Sequence, residues 1–444
     1  MGNGYKNERR KGYAMKMHKY YFLLLAVIFL IAGCKKISMM PDGTHREFYS
    51  TGALKERSTY VKGKRNGSTI EYYSTGEVRR ETYYKNGLKE GEFKEYYIAG
   101  PVKTSGFYKN DKIEGKLNTY YPNEAIKGVL RYSEGLPEGL YEQYHPDGTI
   151  QGTGAYKNGK AYGLFTEFYP NGKTKTLENF VDNLREGPRK EFYEDGTPQI
   201  EEFYKAGALE GERKEYFENN QLKRVENYTG GRLNGLAHEY DDKGHEMIIE
   251  GFKLGKRHGI YYKKRSSGTV EFLWHYKNGE KDGRGVEYFE DGGWMKKWNY
   301  KDGLLEGTVT EYYSSGKVKK KEFYVHGLLN GTVKIYNERG VLKVEASYLY
   351  NQLNGPSIVY NETTGKPIAE ANFVIGELGG ASREFFEDGT LKSVTHYTNN
   401  EKDGAALVYF PNGQVKIEMM YRMGQVILRR QFDENGNKVY EADF

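Results

Sequence analysis

Few residue combinations in this sequence could support catalysis or metal binding. Gly172-Lys173-Thr174 has the ending of a phosphate-binding loop, but Glu167 stands where that motif requires its first glycine. His238 and His245 are the closest pair of histidines, and no third ligand is evident beside them. No pair of acids stands apart as a general acid and base. The sequence therefore predicts a protein that is not an enzyme, with no catalytic, cofactor or metal site.

Three tryptophans and a row of glutamates are the best candidates for a binding surface. Trp294 lies in the same short stretch as Trp274 and Trp298, and these two continue a 24-residue spacing that begins with four glutamates: Glu178, Glu202, Glu226 and Glu250. Indole rings beside carboxylates predict a docking patch for a basic protein segment, or a surface on which sugars stack. The alternative is that the tryptophans belong to the core and the glutamates form a solvated row.

The only cysteine, Cys34, lies at a position that suggests a lipid anchor. Basic residues precede an apolar run at 20–31, which is typical of a signal peptide and short for a spanning helix. The following Ile31-Ala32-Gly33-Cys34 resembles the lipobox of bacterial lipoproteins, in which cleavage precedes a lipidated cysteine. We therefore expect a signal peptide at 1–33, of which 1–14 are a candidate mis-called extension, and a lipidated cysteine with a tether at 34–44.

Charge and composition exclude other classes of protein. Residues 1–34 hold six basic side chains and one acidic, which leaves 61 basic and 60 acidic in the remainder. A nearly neutral body argues against nucleic-acid binding. Apolar residues make up 37% of the chain, but aromatic residues reach 15% and glycines number 56. Tyrosine with glycine favours β-structure with many tight turns.

A 24-residue period fills the chain from about residue 45 to residue 444. A turn glycine, first Gly52, recurs at this spacing, with one inserted residue near Thr364. An aromatic stands four residues before the turn glycine in nearly every unit, Lys264 being the exception, and another stands eight residues after it. The array therefore contains about 17 units.

Each unit is predicted to be a β-hairpin. Segments such as Tyr49-Ser50-Thr51-Gly52 have the form of a three-residue hairpin loop, whose last residue needs a positive φ. In that register the aromatic four before glycine faces the residue two after it, as Phe48 faces Leu54. The register also places Glu47 opposite Lys55, and six further units repeat this charge pair. Tyr84-Lys85-Asn86-Gly87 suggests a second tight turn that joins one hairpin to the next.

The pattern Tyr84-Lys85-Asn86-Gly87-Leu88-Lys89-Glu90-Gly91 resembles MORN repeats, and Glu71-Tyr72-Tyr73-Ser74-Thr75-Gly76-Glu77-Val78 resembles their bacterial variant. This resemblance implies a scaffolding or binding role without catalysis. It also implies the fold, which we predict to be all-β: an elongated, single-layer antiparallel sheet of stacked hairpins over 45–444.

These observations together predict a lipid-anchored scaffold or adaptor of the bacterial cell envelope. We expect a protein partner of unknown identity, contact with the membrane through the lipid on Cys34, and no nucleic acid. Lys35 follows the cysteine where aspartate would suggest retention in the inner membrane, so the outer membrane is favoured. Two alternatives stay open: a surface that binds glycans or lipid headgroups, and an antitoxin-like or immunity-type inhibitor of the envelope.

Overall fold

The computed structural model describes residues 40–444. They form one open antiparallel sheet of 43 strands, in which each strand pairs with strands that are close to it in the chain. No helix occurs among the described residues. The predicted all-β array of 17 hairpins is therefore confirmed.

Seventeen strands begin just after a turn glycine, and most of them are eight residues long. They are Leu54–Val61, Val78–Lys85, Val102–Lys109, Ile126–Ser133, Ile150–Lys157, Thr174–Val181, Pro198–Lys205, Leu222–Thr229, Glu246–Lys253, Val270–Lys277, Trp294–Lys301, Val318–Val325, Leu342–Leu349, Pro367–Val374, Leu391–Thr398, Val415–Arg422 and Lys438–Asp443.

The returning strands are continuous in some repeats and interrupted near their second glycine in others. The continuous ones are Gly43–Phe48, Leu88–Tyr96, Lys112–Tyr120, Leu136–Tyr144, Lys256–Lys264, Gln352–Tyr360, Glu401–Tyr409 and Gln425–Phe432. The interrupted ones are Lys64–Arg65 with Gly67–Tyr72, Lys160–Ala161 with Gly163–Phe168, Leu184–Arg185 with Gly187–Phe192, Ala208–Leu209 with Gly211–Tyr216, Arg232–Leu233 with Gly235–Tyr240, Glu280–Lys281 with Gly283–Tyr288, Leu304–Leu305 with Gly307–Tyr312, Leu328–Leu329 with Gly331–Tyr336, and Glu377–Leu378 with Gly380–Phe385.

Two kinds of turn join these strands. At the first turn, the N–H of Gly52 donates to the carbonyl of Tyr49 over 2.9 Å, and Gly52 has φ of +86°. At the second turn, Asn86 and Gly87 have φ of +53° and +90°, the conformation of a two-residue type I′ turn. Both turns are compatible with the right-handed twist of the strands, so successive hairpins join into one continuous sheet.

A bulge in each hairpin corrects part of the predicted register. Phe48 lies opposite Leu54 as expected, but Glu47 lies opposite Glu56, so Lys55 is the extra residue. Five of the seven expected charge pairs still form, because both residues of a bulge lie near the single residue facing them. Glu95 and Glu311 bond instead to Arg80 and Lys296.

Most buried side chains lie in one row that crosses every strand, which we call the central file. It consists of the residues six after each turn glycine and seven before the next, and cross-strand pairing brings them side by side. Its first described members after His45 are Ser58, Thr69, Thr82, Phe93 and Gly106. We call the side of the sheet that carries it the file face, and the other side the reverse face.

Where the central file holds glycine, the ring of a neighbouring file residue lies over the backbone. A Cβ atom on Gly154 would lie 2.4 Å from the ring of Phe165, and one on Gly106 would lie 2.9 Å from Phe93. Rings from the next column pack alongside, as Tyr108 does 4.5 Å from Phe93. The file is thus a core one residue wide.

In seven repeats, the tyrosine three residues before the turn glycine bonds its hairpin to the next. The hydroxyl of Tyr49 donates to the carbonyl of Tyr72 over 2.7 Å. Six further tyrosines make the same bond: Tyr73, Tyr97, Tyr121, Tyr169, Tyr193 and Tyr313. These bonds tie neighbouring repeats together at the turn edge of the sheet.

Removing this tyrosine hydroxyl from one repeat should destabilise its turn, and adding a hydroxyl to the next repeat should stabilise that turn. Tyr193→Phe removes the bond to the carbonyl of Tyr216, whereas Phe217→Tyr introduces its equivalent one repeat later. We expect a local change in opening free energy of about 1 kcal/mol, downward for the first variant and upward for the second. Hydrogen exchange followed by mass spectrometry should show roughly fivefold faster and slower exchange at these turns. Unchanged exchange in both variants would contradict the role of the hydroxyl.

Candidate functional site

The four predicted glutamates form a ladder of ion pairs with arginines of the intervening strands. Arg189 Nη1 lies 2.6 Å from Glu202 Oε1, although the two residues are 13 apart in the sequence. Arg213 lies 3.3 Å from Glu202 Oε2 and 3.2 Å from Glu226 Oε2. At the ends, Arg185 Nε lies 2.6 Å from Glu178, and Arg257 Nη2 lies 3.2 Å from Glu250. Every predicted glutamate therefore has an arginine partner within the chain.

Burial and hydrogen bonds make this ladder part of the core. Glu202 and Glu226 are 8% and 6% exposed, and the hydroxyls of Tyr204 and Tyr228 donate to them over 3.1 and 3.0 Å. Burial, together with the adjacent carboxylate, raises the pKa of each of these tyrosines to about 12.

The arginines of the ladder stay charged. Burial opposes the charge of Arg189 and Arg213, but the surrounding carboxylates outweigh it and hold the pKa of each guanidinium above its ordinary value. The row of acids predicted for a basic partner is therefore already neutralised from within the protein.

Trp274 and Trp298 occupy the same central file. Their rings meet edge to face at 5.4 Å, and Trp298 is 7% exposed. Gly285 makes room for the second indole, since a Cβ there would lie 2.2 Å from its Nε1. Lys281 Nζ lies 2.9 Å from the centre of the Trp274 ring. These indoles pack as core residues, and the one with more exposure is covered by a cation.

Trp294 lies on the opposite side of the sheet from the other two tryptophans. It contacts Lys297 and Tyr312, whereas Trp298 contacts Lys296 and Trp274. It is also 49% exposed. Of the seven predicted partner-binding residues, Trp294 alone presents a largely open surface, and the structure does not bring it together with the others.

The basic segment Lys263-Lys264-Arg265, where the repeat loses an aromatic, has a structural explanation. Arg265 stands in the position of the bonding tyrosines, and its Nη2 donates to the carbonyl of Tyr288 over 2.7 Å. Its other terminal nitrogen bonds to the carbonyls of Val270 and Phe289. The arginine thus replaces the tyrosine bond between repeats.

Comparison with known families agrees with this architecture. The family described as "MORN repeat variant" matches ten segments of the chain: 41–62, 65–86, 137–158, 161–182, 185–206, 209–229, 305–326, 329–350, 378–399 and 402–423. These ten segments are similar to variant MORN repeats. No curated protein matches it.

Three solved structures show a weak similarity to this chain. The crystal structure of TcdB2-TccC3-Cdc42 is 10% identical, over 90% of this chain and 27% of that chain, with a TM-score of 0.14. That of TcdB2-TccC3-TEV is 12% identical, over 89% and 20%, with a TM-score of 0.15. The Photorhabdus luminescens Tc holotoxin pore is 12% identical, over 88% and 20%, with a TM-score of 0.13. The chain spans about a quarter or less of these chains, and such low scores support no inference about its function.

Other residues singled out in the sequence serve the repeats themselves. Lys173 lies at a hairpin turn and donates to the carbonyl of Asp195 over 2.6 Å. His238 and His245 bond separately to Glu246 and Asp241. Within 40–444 no group of three metal-ligating side chains forms, and no helix is long and apolar enough to span a membrane. Cys34 lies outside the described residues.

Sequence reasoning missed two surfaces of the repeat array. One is an apolar patch on the reverse face, defined by Leu140, Leu164 and Phe203, which are 69%, 58% and 44% exposed. The other is a cleft of about 370 Å³ on the file face around Gly152. The signal for the patch is two leucines 24 residues apart in a column that otherwise holds mostly polar or small residues.

Removing the central arginine of the ladder should destabilise the array strongly. Arg213→Met leaves Glu202 and Glu226 buried with fewer cations, so we expect a loss of about 3–5 kcal/mol in the free energy of unfolding. Lys190→Met is the matched control, since its pair with Glu201 on the reverse face is solvent-exposed and worth about 0–1 kcal/mol. Urea denaturation followed by tyrosine and tryptophan fluorescence measures both. Equal losses in the two variants would show that the ladder is no more important than a surface ion pair.

Proposed function

We propose that this chain is a non-catalytic scaffold that binds a protein partner at the cell envelope through the reverse face of its sheet. The observation that carries the proposal is the apolar patch. Leu140 and Leu164 occupy equivalent positions in adjacent repeats, about 9–10 Å apart. Exposed apolar groups clustered on a rigid surface are typical of protein-binding sites.

The neighbours of the patch extend it along one row of the sheet. Leu140 pairs with Ala155, Leu164 with Asn179, and Phe203 with Pro188, so the row contains little charge. The bond from the hydroxyl of Tyr121 to the carbonyl of Tyr144 holds the strand of Leu140, and the ion pairs of Glu202 hold the strand of Phe203. A surface that is already ordered before binding loses little entropy when a partner docks.

The file face supports glycan stacking on tryptophan less well. Lys281 covers the ring of Trp274, and Trp298 is buried against Gly285. Neither indole offers the open face that a sugar ring requires. The reverse face, with its exposed aliphatic side chains and Trp294, suits a protein partner better.

Capture of the partner tests the docking surface. The full chain, purified in detergent and immobilised, is exposed to a detergent-solubilised envelope extract beside a variant with Leu140→Lys and Leu164→Lys. The control carries Thr308→Lys and Thr332→Lys, the same column in later repeats. We expect one protein retained by the unchanged chain and the control but lost from the patch variant, since charge blocks apolar burial. A further column with Trp294→Ala tests the exposed tryptophan.

Two outcomes would overturn the docking proposal. Equal retention by all columns would mean that the patch does not contact the partner. Retention of only lipid or glycan, with no protein, would assign a different class of ligand to the array.

We also propose that a lipid on Cys34 holds the scaffold at the membrane. The lipobox-like segment supports this, and acyl chains add about 0.8 kcal/mol of membrane affinity per buried methylene. Cys34→Ser should shift the protein from the membrane pellet to the soluble fraction, whereas Gly33→Ala, which keeps a small residue there, should not. A serine variant that stays in the pellet would indicate that the apolar run at 20–31 is itself the anchor.

A further inference from the structure

A cleft of about 370 Å³ opens on the file face where the central file passes through 141–180. Its floor is the backbone at Gly152. Rings of Tyr141, Tyr156, Phe165 and Phe180 line one side, meeting edge to face at 5.1 to 6.2 Å. Its volume lies in the range of pockets that hold small molecules.

Two glycines on one strand create this cleft. Gly154 lies under the ring of Phe165, which fills its place. Gly152, two residues earlier on the same face, lies between Gln143 and Glu167 of the flanking strands, and no ring covers it. The equivalent position holds threonine in nearby repeats, as at Thr104 and Thr176. The missing side chain at Gly152 therefore leaves an open space between ordered walls.

Polar groups face the rings across the cleft. Tyr141 donates to Gln143, whose Nε2 donates to Gln151 Oε1 over 2.7 Å. Glu167 and Lys175 lie at the rim with 3.9 Å between their charged atoms. Glu178 also lines the cleft and is paired with Arg185 and Arg189. The lining thus combines aromatic faces, carboxamides and carboxylates that each have a cationic partner.

His145 adds a polar atom that the protein itself leaves unbonded. His145 lines the cleft, and its buried Nε2 has no hydrogen-bond partner among the described residues. His145 replaces the tyrosine that bonds to the next repeat at Tyr121 and Tyr169, and no such bond to the carbonyl of Phe168 is present within 40–444. A buried polar atom without a partner is costly unless a bound group satisfies it.

We propose that this cleft binds a neutral saccharide of one or two rings. The C–H face of a sugar packs on aromatic rings, and its hydroxyls both donate and accept, which matches the carboxamides, Glu167 and the free nitrogen of His145. The site is independent of the docking patch, because Leu164 and Phe165 are consecutive in a strand and point to opposite faces.

Direct titration tests the site. The full chain in detergent is titrated with glucose, galactose, mannose, N-acetylglucosamine, maltose and cellobiose by isothermal calorimetry, and the same sugars are presented at the ends of immobilised chains. We expect saturable binding of at least one sugar. Binding of the free sugar identifies a pocket for small sugars, and binding only to the immobilised form identifies recognition of glycan ends.

Two glycine variants provide a matched comparison. Gly152→Thr introduces the residue of neighbouring repeats and fills the floor of the cleft, so affinity should fall roughly tenfold or more. Gly128→Thr makes the same change one repeat earlier, outside the cleft, and should bind like the unchanged chain. The two changes are comparable, since neither glycine has a positive φ and an added Cβ atom would lie 3.2–3.3 Å from its nearest neighbours at both positions.

A third variant separates binding from stability. His145→Tyr restores the bond between repeats and removes the free nitrogen, so it should raise the melting temperature while weakening sugar binding. The proposal is overturned if no sugar binds in either form, or if Gly152→Thr binds as tightly as Gly128→Thr.

Discussion

A single open sheet has no second layer to cover either face, so each buried side chain must be covered by neighbours in its own sheet. The central file is the consequence. Its residues meet across every strand boundary, and a ring such as Phe165 or Trp298 is accommodated only because glycine faces it. Burial of this kind extends along the chain without limit, which explains how a core one residue wide supports seventeen hairpins.

The same geometry explains why charge is tolerated in this core. From Glu178 to Glu226 the file alternates glutamate with arginine, and Glu202, Arg213 and Glu226 continue the row in place of rings. Tyrosine hydroxyls complete the hydrogen bonds of the carboxylates, so burial of the charges is compensated. The ladder stiffens the strand whose other side carries Phe203, at one end of the apolar patch. A rigid support beneath an exposed surface is what a scaffold requires.

Departures from the repeat separate into two kinds. Arg265 replaces the tyrosine of other repeats but makes the same bond to the next repeat. Gly285 has no side chain, and the indole of Trp298 occupies the space. These departures are compensated within the sheet. His145 and Gly152 are not, because one leaves a buried nitrogen unbonded and the other leaves space unfilled. At such positions a bound ligand supplies the hydrogen bond and the packing that the protein lacks.

The sequence by itself determined the period, both turns, the aromatic columns and the pairing of Phe48 with Leu54, because turn glycines and hairpin register are local properties. It did not determine which side chains share a face beyond the bulge. Trp294 and Trp298 are four residues apart, so strict alternation places them together. The extra residue at Met295 reverses the alternation and separates them. Likewise, only strand pairing brings Arg189 and Arg213 to Glu202. The glutamates predicted to dock a partner are therefore part of the core. Local spacing encodes the hairpin, whereas the bulge and the neighbouring strand decide which face each residue joins and what it contacts.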